Sequence, residues 1–205
     1  MIERPLTGVG ALIISPESSY ESFATITEGH TKRSTNKLRG MQSLPMETAE
    51  WGETYEQTLE RLFEEEIRFL PLSLLLKTKL CTCELAPGVL VHLYLYEIPS
   101  HNSIFLGSHN QEVSNLEWVS FVDILNEPTG SLRFRPGAYE CVVSCLDYLK
   151  DPENFQPPVI SFHQLRHQIP HVVFNLIEAG FSEREVLFQL GLAPQFLPNF
   201  QLLSH

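Results

Sequence analysis

Basic residues and long apolar runs are both scarce in this sequence. Lysine and arginine number 14 against 25 aspartate and glutamate residues, and the formal net charge of −11 disfavours a nucleic acid as a partner over the whole surface. The longest membrane-like run, residues 69–76, is interrupted by Pro71 and is far shorter than the ~20 residues of a transmembrane helix. The N-terminus carries no basic leader followed by a small-residue cleavage site. We therefore expect a cytoplasmic protein that does not span a membrane.

The four cysteines lack the C-x2-C spacing of common zinc sites. Cys81 and Cys83 are expected on one face of a strand, and Cys141 and Cys145 on one face of a helix. A zinc site with four thiolates is therefore conceivable. Buried free thiols in a reducing cytosol are the interpretation we favour.

Strand and helix patterns alternate irregularly along the first 150 residues, without repeats or low-complexity tracts. Thr54 and Gln57 predict a capping box at the start of a helix whose apolar residues, including Leu59 and Phe63, recur at helical spacing. The predicted strands are 6–15, 23–28, 75–85, 89–98 and 116–121, and the predicted helices are 54–67 and 138–149. This pattern predicts an α/β domain in which a mixed β-sheet lies between helices.

A proline-rich segment, residues 151–158, is the best candidate for a linker because three prolines there disfavour both helix and central strand. We predict one domain over residues 1–150, with residues 151–205 forming the linker and a small helical C-terminal extension. Its apolar residues are expected to dock on the main domain or on a second subunit, as in a homodimer. The extension has the rhythm of a helix-turn-helix, but five acidic residues against two arginines make DNA binding unlikely on grounds of charge.

The most specific pattern lies in residues 44–66. Glu53 is followed after seven residues by Arg61, and the carboxylate pair Glu65 and Glu66 comes on the same predicted helix. Residues three or four apart share a helix face, so carboxylates at these positions can converge. Hard Mg²⁺ or Mn²⁺ ions favour such oxygen clusters and bridge phosphate groups.

These residues resemble the signature of the Nudix hydrolase family, G-x5-E-x7-R-E-U-x-E-E-x-G-U, where U is a bulky apolar residue. The matching positions are Glu53, Arg61, Phe63, Glu65, Glu66 and Phe69. Leu44-Pro45, residues 117–119 and residues 135–137 lie in the family's order, so the resemblance covers the first 150 residues or so. It implies a hydrolase that uses Mg²⁺ or Mn²⁺ to split a nucleoside diphosphate linked to another group.

Three positions depart from the signature. Glu47 replaces the first glycine, Leu62 replaces the glutamate after the arginine, and Arg68 replaces the last glycine. The main-chain carbonyl at position 47 can still face a metal if the backbone permits. Leu62 is the serious loss, because in the family the carboxylate at this position ligates metal and in some members assists the attacking water.

The resemblance assigns further roles residue by residue. The expected metal ligands are Glu47, Glu65 and Glu66, the expected structural ion pair joins Glu53 to Arg61, and Glu112 is the candidate catalytic residue that compensates for Leu62. A basic cluster just before the signature, Lys32, Arg33, Lys37 and Arg39, is the candidate contact for substrate phosphates.

Two functions remain open at this point. One is a metal-dependent pyrophosphohydrolase of weak activity, which the Glu65-Glu66 pair favours. The other is a catalytically silent module that binds a nucleotide-like ligand or a protein partner, which Leu62 favours.

Overall fold

A computed structural model describes residues 6–19, 21–30, 32, 37, 39–69, 75–106, 113–126, 134–165, 177, 180 and 182. The strands are β1 (Leu6–Ile14), β2 (Ser22–Glu28), β3 (Gln42–Ser43), β4 (Met46–Thr48), β5 (Ile67–Phe69), β6 (Leu75–Ala86), β7 (Val89–Glu97), β8 (Ile104–Leu106), β9 (Val113–Ser120) and β10 (Val159–Ile160). The helices are α1 (Tyr55–Glu65), α2 (Phe121–Asn126), α3 (Ala138–Lys150) and α4 (Phe162–Leu165). None of the described helices has the length and apolar character to cross a membrane.

Eight of the described strands form one mixed sheet with the order β10-β6-β7-β1-β2-β3, in which β4 also pairs with β1 and β9 with β2. The β1–β7 and β6–β10 pairs are parallel, and the other pairs are antiparallel. Strand β5 pairs separately with β8. The mixed sheet expected from the sequence is confirmed.

The two faces of the sheet carry separate apolar cores because side chains alternate along each strand. Val9, Ala11 and Ile13 of β1 face α1, where Leu59 and Phe63 are buried as predicted. The opposite face packs against α2, α3 and α4 through the core residues Leu12, Ile14, Phe23, Leu93, Phe121, Val142 and Leu165. The sheet therefore lies between helices, as predicted.

Helix α1 begins where the sequence predicts but ends earlier. The amide of Gln57 donates to Thr54 Oγ1 over 3.3 Å, and the amide of Thr54 donates to Gln57 Oε1 over 2.9 Å, so the predicted capping box is confirmed. The prediction that the helix continues to Ile67 is wrong, because Ile67 belongs to β5 and pairs with Leu106 of β8. A fully buried, β-branched isoleucine fits this strand pairing well.

The segment after residue 150 returns to the sheet. The amide of Thr82 donates to the carbonyl of Pro158 over 2.9 Å, and β10 then runs parallel to β6. Leu165 of α4 is buried in the core that contains α3. The four cysteines lie in this same core as buried free thiols, and Cys81 Sγ is 3.8 Å from Cys83 Sγ. The first part of the predicted extension is thus packed against the domain.

Candidate functional site

Two glycines in β1 bring the signature loop against the sheet. In the β1–β4 ladder, Val9 lies opposite Glu47 and Gly10 opposite Met46. A Cβ atom on Gly8 would lie only 2.7 Å from the carbonyl oxygen of Glu47, and one on Gly10 would meet the Met46 side chain at 2.9 Å. Only residues without a Cβ allow this close approach. The pairing places Glu47 at the C-terminal half of α1, with its carbonyl against β1.

Arg61 organises the first group of charges, which we call the Arg61 cluster: Glu47, Glu53, Arg61 and Glu65. Its Nε and Nη2 atoms each donate to one carboxylate oxygen of Glu53 over 3.0 Å. Nη2 also donates to the carbonyl of Thr48 over 2.6 Å, and Nη1 lies 3.1 Å from Glu47 Oε1. Glu65 is more distant, at 4.0 Å from Nη1. One guanidinium therefore ties the loop to α1.

This two-pronged contact shifts the titration of both partners. The hydrogen bonds from Arg61, followed by the backbone hydrogen bond from Glu50, lower the pKa of Glu53 to about 2. The carboxylate of Glu53 in turn raises the pKa of Arg61. Both groups are charged throughout the physiological range, as expected of a pair that holds the loop in place.

A second group of charges lies deeper, and we call it the buried charge cluster: Glu28, Lys37, Glu66 and Arg135. Lys37 Nζ is 2.7 Å from Glu28 Oε2, and Arg135 Nη1 is 3.7 Å from Glu28 Oε1. All four residues are less than a tenth exposed. Charges at this depth persist only when they compensate one another, because water is excluded.

The two glutamates of the predicted metal pair lie at different depths. The Glu65 side chain is 51% exposed, whereas Glu66 is 1% exposed and its Oε2 accepts a hydrogen bond from the amide of Met46 over 3.2 Å. Burial, followed by the nearby Glu28 charge, raises the pKa of Glu66 well above its usual range, and Lys37 opposes this shift. Burial thus disfavours the charged form of Glu66, while the Glu65 side chain remains half-exposed.

The residues that the structure describes do not fit the divalent-metal site that the signature implies. Leu62 is completely buried in the apolar core beneath α1, so it offers no ligand and its position is closed to water. Among the described residues, no group of three or more His, Cys, Asp or Glu side chains is arranged to hold a metal ion. Of the expected ligands, Glu47 is paired with Arg61 at 3.1 Å, and Glu65 lies 4.0 Å from the same guanidinium.

A small cleft opens beside these charges, and we call it the basic cleft. It is lined by Leu6, Thr7, Gly8, Lys32, Lys37, Met46, Glu47, Thr48, Val89, Val91 and Arg135. Its volume of about 40 Å³ has room for about three water molecules. Three cations, Lys32, Lys37 and Arg135, line it against one carboxylate, that of Glu47. The cleft is therefore small, and cations outnumber carboxylates among its lining residues.

Only part of the predicted phosphate-binding set lines this cleft. Lys32 and Lys37 do so and pair through their backbones in an isolated antiparallel bridge. Arg39 is exposed and is not among the lining residues. Arg33 and the catalytic candidate Glu112 lie outside the described residues.

Two charged residues of the site were missed by the sequence analysis. Glu28 ends β2 and Arg135 precedes α3, so 107 positions separate them, and neither belongs to a local motif that predicts their contact. The sequence contained one indication of Arg135, because the segment Arg135-Pro136-Gly137 follows the order of motifs in the Nudix family. Its burial could not be inferred from that.

Comparison with known proteins agrees with the observed fold. The structure is similar to the NUDIX domain of Shewanella oneidensis NrtR complexed with ADP ribose, with a TM-score of 0.55 and 15% identity over 72% of this chain and 90% of that one. It is also similar to a NUDIX hydrolase from Nitrosomonas europaea (TM-score 0.53, 14% identity, 78% and 81% covered). A C. elegans Ap4A hydrolase gives a TM-score of 0.53 at 14% identity, with 71% and 98% covered.

Identities this low establish a common fold and nothing about ligands. A search of curated proteins finds no match to the sequence. The decisive comparison is with the family itself, since the sequence model of the NUDIX domain matches residues 7–138, more than half of the 205 residues. With the capping box, the Glu53–Arg61 contact and the sheet between helices all in the family's order, the chain belongs to the Nudix family.

Proposed function

We propose that this domain binds a nucleoside diphosphate linked to another group, such as ADP-ribose, and cleaves the diphosphate weakly at best. The observation that carries the proposal is the basic cleft, in which Lys32, Lys37 and Arg135 surround a phosphate-sized space beside the signature helix. Paired lysine and arginine side chains are the usual protein contacts for phosphate.

The charge of the cleft supports an anionic ligand in an otherwise acidic protein. The chain has a net charge of −11, yet this one concavity gathers three of its 14 basic residues. Glu28, which pairs with Lys37 and Arg135, offsets part of this positive charge, and the two side chains still line the cleft as hydrogen-bond donors for an anion. Thr7 and Thr48, whose side chains offer hydroxyl groups, line the same space. The cleft takes one phosphate, and the remainder of the ligand extends past its open mouth.

Weak cleavage follows from the state of the signature helix. A divalent ion that activates water needs carboxylates exposed to the substrate. Leu62 lacks the carboxylate, and Glu66 is buried with an amide hydrogen bond from Met46. Only Glu65 of the predicted pair reaches solvent. The binding half of the family's chemistry is therefore better supported than the hydrolytic half.

The test is a binding and turnover panel on the whole chain. ADP-ribose, Ap4A and a nucleotide sugar are titrated by calorimetry, and phosphate-ester products are measured by chromatography with Mg²⁺ present. We expect saturable binding of at least one compound, and Lys32→Gln should weaken it by about 3–10-fold. Lys79→Gln, on β6 and outside the cleft lining, is the matched control and should leave binding unchanged. Absence of binding across the panel would sink the proposal.

Metal-dependent hydrolysis is the second candidate, because Glu65 remains half-exposed beside Arg61. If the wild type turns over a panel compound at ordinary enzyme rates and Glu65→Gln abolishes turnover, hydrolysis is the main function. The carboxylate missing at Leu62 would then come from another residue, and Glu112 is the candidate.

A further inference from the structure

The buried charge cluster places two cations beside two carboxyl groups. It contains two carboxylates, Glu28 and Glu66, and two cations, Lys37 and Arg135. Glu28 contacts both cations, at 2.7 Å and 3.7 Å. Glu66 lies beside Arg135 through Met46, because Glu66 Oε2 accepts from the Met46 amide and Arg135 Nη1 lies 3.7 Å from Met46 Sδ. Glu28 therefore pairs directly with both cations, and Glu66 lies next to this group.

This cluster includes a residue of the signature and two residues of the basic cleft. Glu66 is the residue to which the signature assigns a metal ligand, and Lys37 and Arg135 also line the basic cleft. A divalent ion bound to Glu66 would stand next to two fixed positive charges in a region of low dielectric, where like charges repel strongly. The protein cations and a metal ion thus exclude one another from the same carboxylates.

We propose that Lys37 and Arg135 take the place of a divalent cation, so that the cleft binds the phosphate of its ligand without Mg²⁺ or Mn²⁺. Glu28 holds the two cations from the core side, beside the buried Glu66, and the ligand's phosphate approaches from the cleft side. The part concerning the ligand rests on the proposed function, and the part concerning the metal does not.

Manganese binding to the chain alone tests the metal part. Wild-type protein titrated with Mn²⁺ and followed by electron paramagnetic resonance should show no stoichiometric site. Lys37→Gln removes one cation, so Glu28 and Glu66 become under-compensated and Mn²⁺ should bind there. The melting temperature of Lys37→Gln should then rise by at least about 3 °C with Mn²⁺.

Lys32→Gln is the matched control for this experiment. Lys32 pairs with Lys37 through the backbone but is exposed, so the same substitution should create no response to Mn²⁺. A stoichiometric Mn²⁺ site in the wild type overturns the inference. A folded Lys37→Gln without a Mn²⁺ response overturns it as well. If Lys37→Gln does not fold, the wild-type titration decides the question by itself.

Ligand binding separates this inference from the proposed function. The affinity of the wild type for ADP-ribose is measured in EDTA and in millimolar Mg²⁺. We expect the two dissociation constants to agree within about threefold. A loss of more than about tenfold in EDTA overturns the inference and leaves the proposed function standing. Absence of binding in both conditions overturns the proposed function and the ligand part, and the Mn²⁺ titration still decides the metal part.

Discussion

The Arg61 cluster and the buried charge cluster lie at the same helix but differ in their exposure to water and in their numbers of cations and carboxylates. In the Arg61 cluster one guanidinium serves three carboxylates, and its side chains keep some contact with water. In the buried charge cluster two cations serve two carboxylates with almost none. The first keeps the family's structural pairing of Glu53 with Arg61. The second departs from the metal chemistry that the signature implies.

The two clusters show that holding the signature loop in place and catalysis with a metal have different requirements. The Glu53–Arg61 contact needs only the two side chains and a nearby carbonyl, that of Thr48, and all are present. Metal catalysis needs several carboxylates presented together, and Leu62 with the buried Glu66 removes that condition. The support of the loop by Arg61 therefore does not depend on metal catalysis.

The largest expected effect on stability comes from introducing a carboxylate at position 62. Leu62→Glu places a charge in a completely buried apolar core, so the free energy of unfolding should fall by about 4–5 kcal/mol. Urea denaturation measures this. Leu62→Met, which keeps volume and polarity, should cost less than about 1.5 kcal/mol. If Leu62→Glu instead stays stable and gains Mg²⁺-dependent turnover, the site is a metal site with one ligand missing.

A smaller change sharpens the role of the Arg61 cluster. Arg61→Lys keeps the charge but cannot reproduce the two parallel hydrogen bonds to Glu53, so we expect a loss of about 1–2 kcal/mol. Hydrogen exchange of amides in residues 48–54 should also become faster. The same substitution at exposed Arg68 of β5 is the control and should stay within about 0.5 kcal/mol. Equal effects at both positions would show that Arg61 has no special structural part.

The smallest expected effect is a dependence on pH. Because Arg61 lowers the pKa of Glu53 to about 2 from 4.5, this carboxylate stabilises the fold above pH 4.5 and the contribution is lost as the pH falls toward 2. Glu66 has the opposite sign, since its raised pKa favours the fold at low pH and disfavours it as the pH rises. Glu53→Gln should therefore be less stable than wild type at about pH 5 and closer to it at about pH 3. A stability difference that does not change with pH would contradict the assignment.

Much of the fold could be predicted from short stretches of the sequence. The capping box spans four residues, Thr54 to Gln57, and the alternation of β7 extends over nine, so both were readable from the sequence. Strands β3 and β4 have two and three residues, too few to show alternation, and they were missed. The end of α1 was misjudged because Ile67 continues the helical apolar spacing while its partner in β8 lies far along the chain.

The site was predictable only where its spacing is short or fixed by the family. Glu53 and Arg61 are eight residues apart on one loop and helix, and the structure brings them into direct contact. The burial of Glu66 depends on β4 lying against β1, and the contact of Glu28 with Arg135 depends on the whole sheet. Contacts made by tertiary packing leave no pattern in a single sequence.

The late strand β10 bears on the order in which the domain can be completed during synthesis. Strand β10 pairs with part of β6. Because β10 lies about 75 residues further along the sequence, it is translated well after β6. Until then the backbone groups at Thr82 and Cys83 on that side of β6 have no strand partner, and such an edge can pair with another chain. A nascent chain that pauses before Pro158 therefore lacks the pairing that this part of β6 has in the complete domain, and exposes it as an open sheet edge.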